Sequence, residues 1–282
     1  MTKFVFITGV SSGIGKSVLE KFHQNGFHII GTVRRNEDAQ TLSILYPDRL
    51  TLLLFDVTDQ EAFKKAMAHI PGILGAHKLH LLVNNAGLAV PGPLELLSDE
   101  EFEYQMNVNL LSVRKVTNSL LPFLKGEHRG KIVNISSVSG ILNTPYLGAY
   151  CVSKHAIESL NEIYRRELSP FGIQVVSVLP GPIKTNIWKK NLGKLDKFFL
   201  SPYGHVLKSA DKLIEKSEQN GLPVEKVSQT IWKIFESKNP KNRYIVHKNP
   251  FSIWFITRII PSKMLDNIMA KTMSRGDKMR PI

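Results

Sequence analysis

Over the first 180 residues, short apolar runs alternate with longer stretches in which apolar side chains recur every three or four positions. The runs KFVFIT (3–8), HIIGTV (28–33), LTLLLF (50–55), HLLVN (80–84), KIVNIS (131–136) and IQVVSVL (173–179) have strand length and are nearly all apolar. Strands buried on both faces of a sheet read this way. Between them, GIGKSVLEKFHQNG (13–26) and DEEFEYQMNVNLLSVRKVTNSLLPFL (99–124) are long enough for helices. Regular strand–helix alternation predicts an α/β fold, a doubly wound parallel sheet of about seven strands with helices on both faces. No repeat, low-complexity tract or Pro/Gly/Ser linker divides the chain, so residues 1–282 are expected to form one domain.

Composition narrows the class. A hydrophobic fraction of 43% over 282 residues describes a globular chain with ample core. The single cysteine, Cys151, leaves no internal disulfide and suits a reducing compartment, so a cytoplasmic location is expected. The opening MTKFVFITGVSSG reads as a buried strand rather than a signal peptide. Charge is unevenly placed. Residues 1–183 carry 17 Lys/Arg and 16 Asp/Glu, whereas residues 184–282 carry 20 and 8, so the last third holds +12 of the total +13. Those cations are scattered among apolar residues and no groove-reading motif accompanies them, which argues against a nucleic-acid partner.

Two local patterns carry chemistry. The first strand runs straight into TGVSSGIG (8–15) and then an amphipathic helix. Glycines there permit a tight turn and let backbone approach a pyrophosphate, which the helix N-terminus then faces. Strand before and helix after make this a Rossmann-type nucleotide turn. An NAD site shows an acid at the end of the second strand. This chain has Thr32-Val33-Arg34-Arg35, and arginine pairs with a 2′-phosphate instead, so NADP(H) is expected over NAD(H), with Arg34 as the main contact and Ser12 as helper. The alternative leaves the arginines in solvent and gives the ribose to Glu37 or Asp38. The second pattern is GAYCVSKHA (148–156). If helical, it puts Tyr150 and Lys154 on one face, where a cation favours the phenolate and suits the tyrosine to proton transfer. A chance surface pair is the alternative. His77 and His80 lack a third ligand group, so no metal is expected.

With these residues in hand the chain resembles the short-chain dehydrogenase/reductase family over most of its length. TGVSSGIG is similar to the family's TGxxxGxG turn, Asn84-Asn85-Ala86-Gly87 to its NNAG motif, and Tyr150 to Lys154 to its YxxxK; Ser137 stands 13 residues before Tyr150. The resemblance implies a catalytic set of Asn109, Ser137, Tyr150 and Lys154. It implies a cofactor site of Gly9, Ser11, Ser12, Gly13, Ile14, Gly15, Arg34, Asp56, Val57, Asn85, Ala86, Gly87, Tyr150 and Lys154, with Pro180, Gly181, Ile183 and Thr185 closing over the nicotinamide. Tyr150 would move the proton while hydride passes between substrate carbon and nicotinamide. Lys154 would steady the phenolate and bond the nicotinamide ribose, Ser137 would hold the substrate oxygen, and Asn109 would support Lys154 through water. YCVSKHAIESLNEIYRRELSPFGIQV and the tail NRYIVHKNPFSIWFITRIIPSKMLDNIM are similar to the retinol and 17β-hydroxysteroid dehydrogenase branch. An apolar alcohol or carbonyl substrate (steroid-, retinoid- or lipid-like) is implied, as is a homodimer or homotetramer through the helices carrying Asn109 and Tyr150.

The last third adds two expectations. Residues 184–222 correspond to the substrate lid of relatives, so Ile187, Trp188, Phe198 and Phe199 either line an apolar pocket or pack on the core. Within the basic extension 247–282, PFSIWFITRIIP (250–261) is too short to span a bilayer. It either lies on an anionic membrane surface or docks on the domain or a partner subunit. The competing reading of the whole chain is a sensor or scaffold that binds a dinucleotide without chemistry; a complete Ser, Tyr, Lys and Asn set argues against it.

Overall fold

The computed structural model describes residues 2–126, 129–185, 187, 191, 193–207 and 220–274. Strands β1 (Phe4–Ile7), β2 (His28–Val33), β3 (Leu50–Leu54), β4 (Leu79–Asn84), β5 (Lys131–Ile135), β6 (Gln174–Pro180) and β7 (Arg243–Val246) pair in parallel in the order β3-β2-β1-β4-β5-β6-β7. The expected doubly wound α/β fold is met, and the six apolar runs fall on β1 to β6 within a residue or two at each end. β7 was invisible to that pattern. As a four-residue edge strand, RYIV buries only Val246 fully and shows no apolar run.

Both faces of the sheet are apolar because successive side chains point opposite ways. Val5 and Ile7 pack with Val18, Leu19 and Phe22 of α1 (Gly13–Gln24) and with Val227, Ile231 and Ile234 of α9 (Glu225–Glu236). Phe4 and Phe6 face the other layer, against Val116, Leu120 and Leu124 of α6 (Ser112–Leu124) and Tyr164 and Leu168 of α7 (Gly148–Leu168). Smaller helices α2 (Asn36–Leu45), α3 (Gln60–Ala68) and α4 (Ile70–Leu74) complete the first half. A polar ladder crosses the second half. The Asn84 amide donates to Asn134 at 2.6 Å, Asn134 to Asn161, and Asn161 to Ser177 at 2.6 Å, locking β4, β5, α7 and β6 together.

The long helix expected over 99–124 is broken. α5 (Asp99–Met106), opened by a Ser98/Glu101 capping box, passes through a π-helical turn (Asn107–Leu111) before α6 begins. Such turns displace the helix locally and recur at functional sites, and Asn109 stands in the middle of this one. Beyond β6 come the single turn α8 (Gly204–Leu207), α9, and after β7 the helices α10 (Pro250–Arg258) and α11 (Ser262–Ser274). In α10, Ile253 is buried on the domain while Phe251, Trp254 and Phe255 stand out in a stacked aromatic group, with Phe251 71% exposed. Among the described residues no helix is long and apolar enough to cross a membrane.

Candidate active site

The strand order reverses between β1 and β4, and the crevice at their C-terminal ends is where a doubly wound sheet presents a ligand site. Its floor is the glycine turn. Gly9 and Gly13 take φ of +73° and +58°, and a Cβ on Gly15 would lie 2.0 Å from the Gly9 carbonyl oxygen. The turn is held by residues whose role sequence reasoning missed. Thr8 Oγ1 accepts from the Asn85 and Ala86 N–H groups at 2.8 and 2.9 Å, and Thr32 Oγ1 accepts from Gly9 N–H at 2.9 Å. The Asn85 side chain donates to the carbonyls of Thr8 and Gly9 at 2.9 and 3.0 Å, so it shapes the cradle. Thr185 lies over the turn, its Cγ2 3.5 Å from where a Gly13 Cβ would stand. A cavity of about 270 Å3 beside it is walled by Gly13, Lys16, Ser17, Glu20, Lys184, Thr185 and Val224, with Glu20 on the turn of α1 beyond Lys16. No side-chain cap and no acid occupy the first turn of α1. A cradle that excludes even a methyl group, open at a helix N-terminus and flanked by two lysines, fits a dinucleotide pyrophosphate.

At the end of β2, Arg34 Nη1 stands 3.5 Å from Asp56 Oδ2 and is more than half exposed. Asp56 is itself fixed by the N–H and hydroxyl of Thr58, at 2.8 and 2.7 Å, so it steers Arg34 across the edge of the crevice. Asp38, the rival for the ribose, is taken by Arg35 through paired bonds of 2.9 and 2.8 Å.

Across the crevice, α7 begins with the Tyr150–Lys154 turn. Both side chains are buried, and Lys154 Nζ lies 5.7 Å from the Tyr150 ring centre while donating to the Ile135 carbonyl at 2.9 Å. Ser137, leaving β5, accepts from Ser139 N–H at 3.0 Å and hydrogen-bonds Tyr150. Burial pushes the Tyr150 phenol up to about 12, against the Ser137 bond, which favours the phenolate. The expected lowering by Lys154 is therefore not what this structure shows. Burial also brings Lys154 down to about 8, opposed by the Glu158 carboxylate, so desolvation dominates both groups. Asn109 has direct partners of its own. Its Oδ1 accepts from Leu88 N–H at 2.9 Å, and its Nδ2 donates to the Leu88 carbonyl and Ser153 Oγ at 2.9 and 3.1 Å. Its amide thus fixes the loop after β4, and Asn109 Oδ1 and Lys154 Nζ both flank Gly87.

Pro180 ends β6, and Gly181 follows with its N–H donated to Val246. The segment expected as a lid leaves and returns at one point: Ile183 bridges Leu222, with Leu222 N–H to Pro182 O and Lys184 N–H to Leu222 O both at 2.9 Å. Phe198 is buried, but in a cluster of its own with Leu195, Leu207, Leu97, Tyr146, Phe199 and Tyr203, beside the start of α7. Ile187 is half-buried, and Trp188 lies outside the described residues.

A sequence model of the family described as short chain dehydrogenase matches residues 3–195. The chain is 39% identical over 277 residues to the NADPH-dependent 3-dehydrocapnine reductase of Ornithobacterium rhinotracheale, covering 97% of this chain and 98% of that one. It is 34% identical over 242 residues to the 3-ketodihydrosphingosine reductase of Bacteroides thetaiotaomicron, covering 86% of each. With human retinol dehydrogenase 16 it shares 32% over 284 residues, covering 95% of this chain and 87% of that one.

Proposed function

Because the chain belongs to the short-chain dehydrogenase/reductase family, near its retinol dehydrogenase branch, we propose that it reduces the ketone of a lipid-like substrate with NADPH. It is an NAD(P)-dependent oxidoreductase of CH–OH and C=O groups. The observation that carries the finer reading is the meeting of Tyr150, Ser137 and Lys154 in a buried cluster at the mouth of the dinucleotide cradle. Two relatives named as reductases of 3-dehydrocapnine and 3-ketodihydrosphingosine support a ketone on a lipid-type molecule.

When bound, the reduced nicotinamide supplies the hydride, an electron pair and a proton's mass delivered to the carbonyl carbon. Gly9, Ser11, Ser12, Gly13, Ile14 and Gly15 would hold the pyrophosphate end, Arg34 the 2′-phosphate, and Asp56 and Val57 the adenine side. Asn85, Ala86, Gly87, Pro180, Gly181, Ile183 and Thr185 would border the remainder. Tyr150 donates its phenolic proton to the ketone oxygen, which becomes the alcohol hydroxyl. At neutral pH a phenol held near 12 is fully loaded for that task. Ser137 donates to the same oxygen as charge develops there. The two hydroxyls already bond each other, so the substrate oxygen enters where they meet. Lys154, one N–H anchored on Ile135, stabilises the phenolate left behind, and Asn109 holds the neighbouring loop.

NADPH is favoured because Arg34 commands the end of β2 and Asp38 is already paired. Wild-type enzyme assayed with 3-ketodihydrosphingosine should consume NADPH well ahead of NADH. Charge-assisted bonds are worth about 1.5–3 kcal/mol, so Arg34→Ala should erode that preference by roughly 10- to 100-fold. An undiminished preference in the variant, or a wild-type preference for NADH, would end the assignment.

The exposed aromatics of α10, with Lys248, Arg258 and Lys263 around them, support contact with an anionic bilayer from the aqueous side. Sedimentation with vesicles containing phosphatidylserine should carry down the wild type and leave Trp254→Glu/Phe255→Glu in solution; equal partition removes the membrane contact. Exposed Tyr104, Leu111, Val152 and Ile163 on α5, the π turn and α7 support a dimer or tetramer, which sedimentation velocity reads directly.

A further inference from the structure

One turn beyond Lys154 on α7 lies Glu158, a carboxylate sealed beneath the active site. Its side chain is 7% exposed, and Arg243 of β7 donates to its Oε2 from Nε at 2.7 Å and Nη2 at 2.6 Å. The other oxygen, Oε1, is buried with no hydrogen-bond partner among the described residues. The turn that carries Ser137 is pressed against this stretch of helix. A Cβ on Gly140 would stand 2.8 Å from Ser136 Oγ, 2.9 Å from the Lys154 carbonyl and 3.2 Å from Glu158 Cγ.

A charge buried this deeply survives only with a counter-charge, and Arg243 supplies it. A plain staple between α7 and the edge strand would need no carboxylate at this depth, since an apolar pair is as stable or more so. The placement answers a different need. Lys154 is buried, and burial favours the neutral amine. Tyr150 and Glu158 stand one turn before and one turn after it on α7, β5 presents the Ile135 carbonyl, and the π turn presents Asn109 across Gly87, while Cys151 and Ser139 lie beyond Tyr150. Burial keeps both Tyr150 and Cys151 protonated at neutral pH. Of these described groups, Glu158 alone carries negative charge, with Arg243 of β7 behind it.

We propose that Glu158, clamped by Arg243, is a positioning residue that holds Lys154 in its ammonium form beneath Tyr150. This rests on the reading of Tyr150 and Lys154 as the proton-transfer pair, and it gives the edge strand β7 a part in the chemistry. The charge path runs Arg243, Glu158, Lys154, Tyr150, three of its four members one turn apart on a single helix.

The test is the titration of Lys154 Nζ, followed by NMR in full-length protein carrying 15N-lysine and assigned with Lys154→Arg. In the wild type its midpoint should fall near pH 8, and in Glu158→Gln about one pH unit lower. Glu158→Asp should recover most of the shift. If single variants fold poorly, Glu158→Met/Arg243→Met removes both charges while keeping apolar packing, and it too should lower the midpoint. Given turnover, the alkaline limb of ketone reduction moves down in pH by the same amount. A Lys154 midpoint unchanged in the variants overturns the proposal whether or not a substrate has been found. A displaced midpoint in a protein that turns over no ketone keeps the proposal and rejects the substrate assignment.

Discussion

Tyr150→Phe should bind NADPH as the wild type does yet reduce ketone roughly 100- to 10,000-fold more slowly, the usual worth of a general acid. The ring stays and its packing against the buried start of α7 is preserved, so fold and cradle are untouched. What disappears is the Oη proton, and with it the bond to Ser137. NADPH affinity by fluorescence titration and turnover on the same preparation separate the two effects. Near-normal turnover would remove the proton-transfer role; lost NADPH binding would mean that the hydroxyl serves the cradle instead.

Gly15→Ala should be nearly as damaging by an independent route. Its new methyl would stand 2.0 Å from the Gly9 carbonyl oxygen and 2.5 Å from Asn85 Nδ2, and neither neighbour is a flexible tip. Asn85 already serves two carbonyls of the turn. Relief requires the turn to open, at about 1–3 kcal/mol of stability. A misplacement near 1 Å in the cradle costs roughly 100-fold in productive binding. Thermal unfolding together with NADPH titration checks this. A variant as stable and as tightly bound as the wild type would mean that the cradle holds no pyrophosphate.

The sheet was legible because buried parallel strands need unbroken apolar runs, and six of the seven announced themselves that way. β7 escaped because an edge strand flanked by polar residues buries little. The break at Asn109 escaped because NVNLL has the same apolar spacing as the helices on either side; what distinguishes it is a register change in backbone bonds. The glycine turn, Ser137 and the Tyr150–Lys154 spacing were visible as residue types in order. Their supports were not. Thr32 and Arg243 act from strands far away in sequence and nothing local marks them, while Thr8 and Asp56 stood within the expected site without their holding bonds being visible. The reasoning that a lysine lowers its tyrosine neighbour's affinity for protons omitted burial, which here pushes the phenol up to about 12 against the Ser137 bond. Phe198 packs against Leu97 and Tyr146 of the domain, in a small cluster separate from the two main cores, which periodicity alone could not place.

The most direct test of the central claim is transfer of deuterium from NADPH deuterated at nicotinamide C4 to 3-ketodihydrosphingosine by the wild-type enzyme. The account predicts a secondary alcohol with a single deuterium on the carbinol carbon, its hydroxyl proton coming from solvent, and no such product from Tyr150→Phe on the same timescale. Product bearing protium at that carbon, or equal yield from the variant, would contradict it.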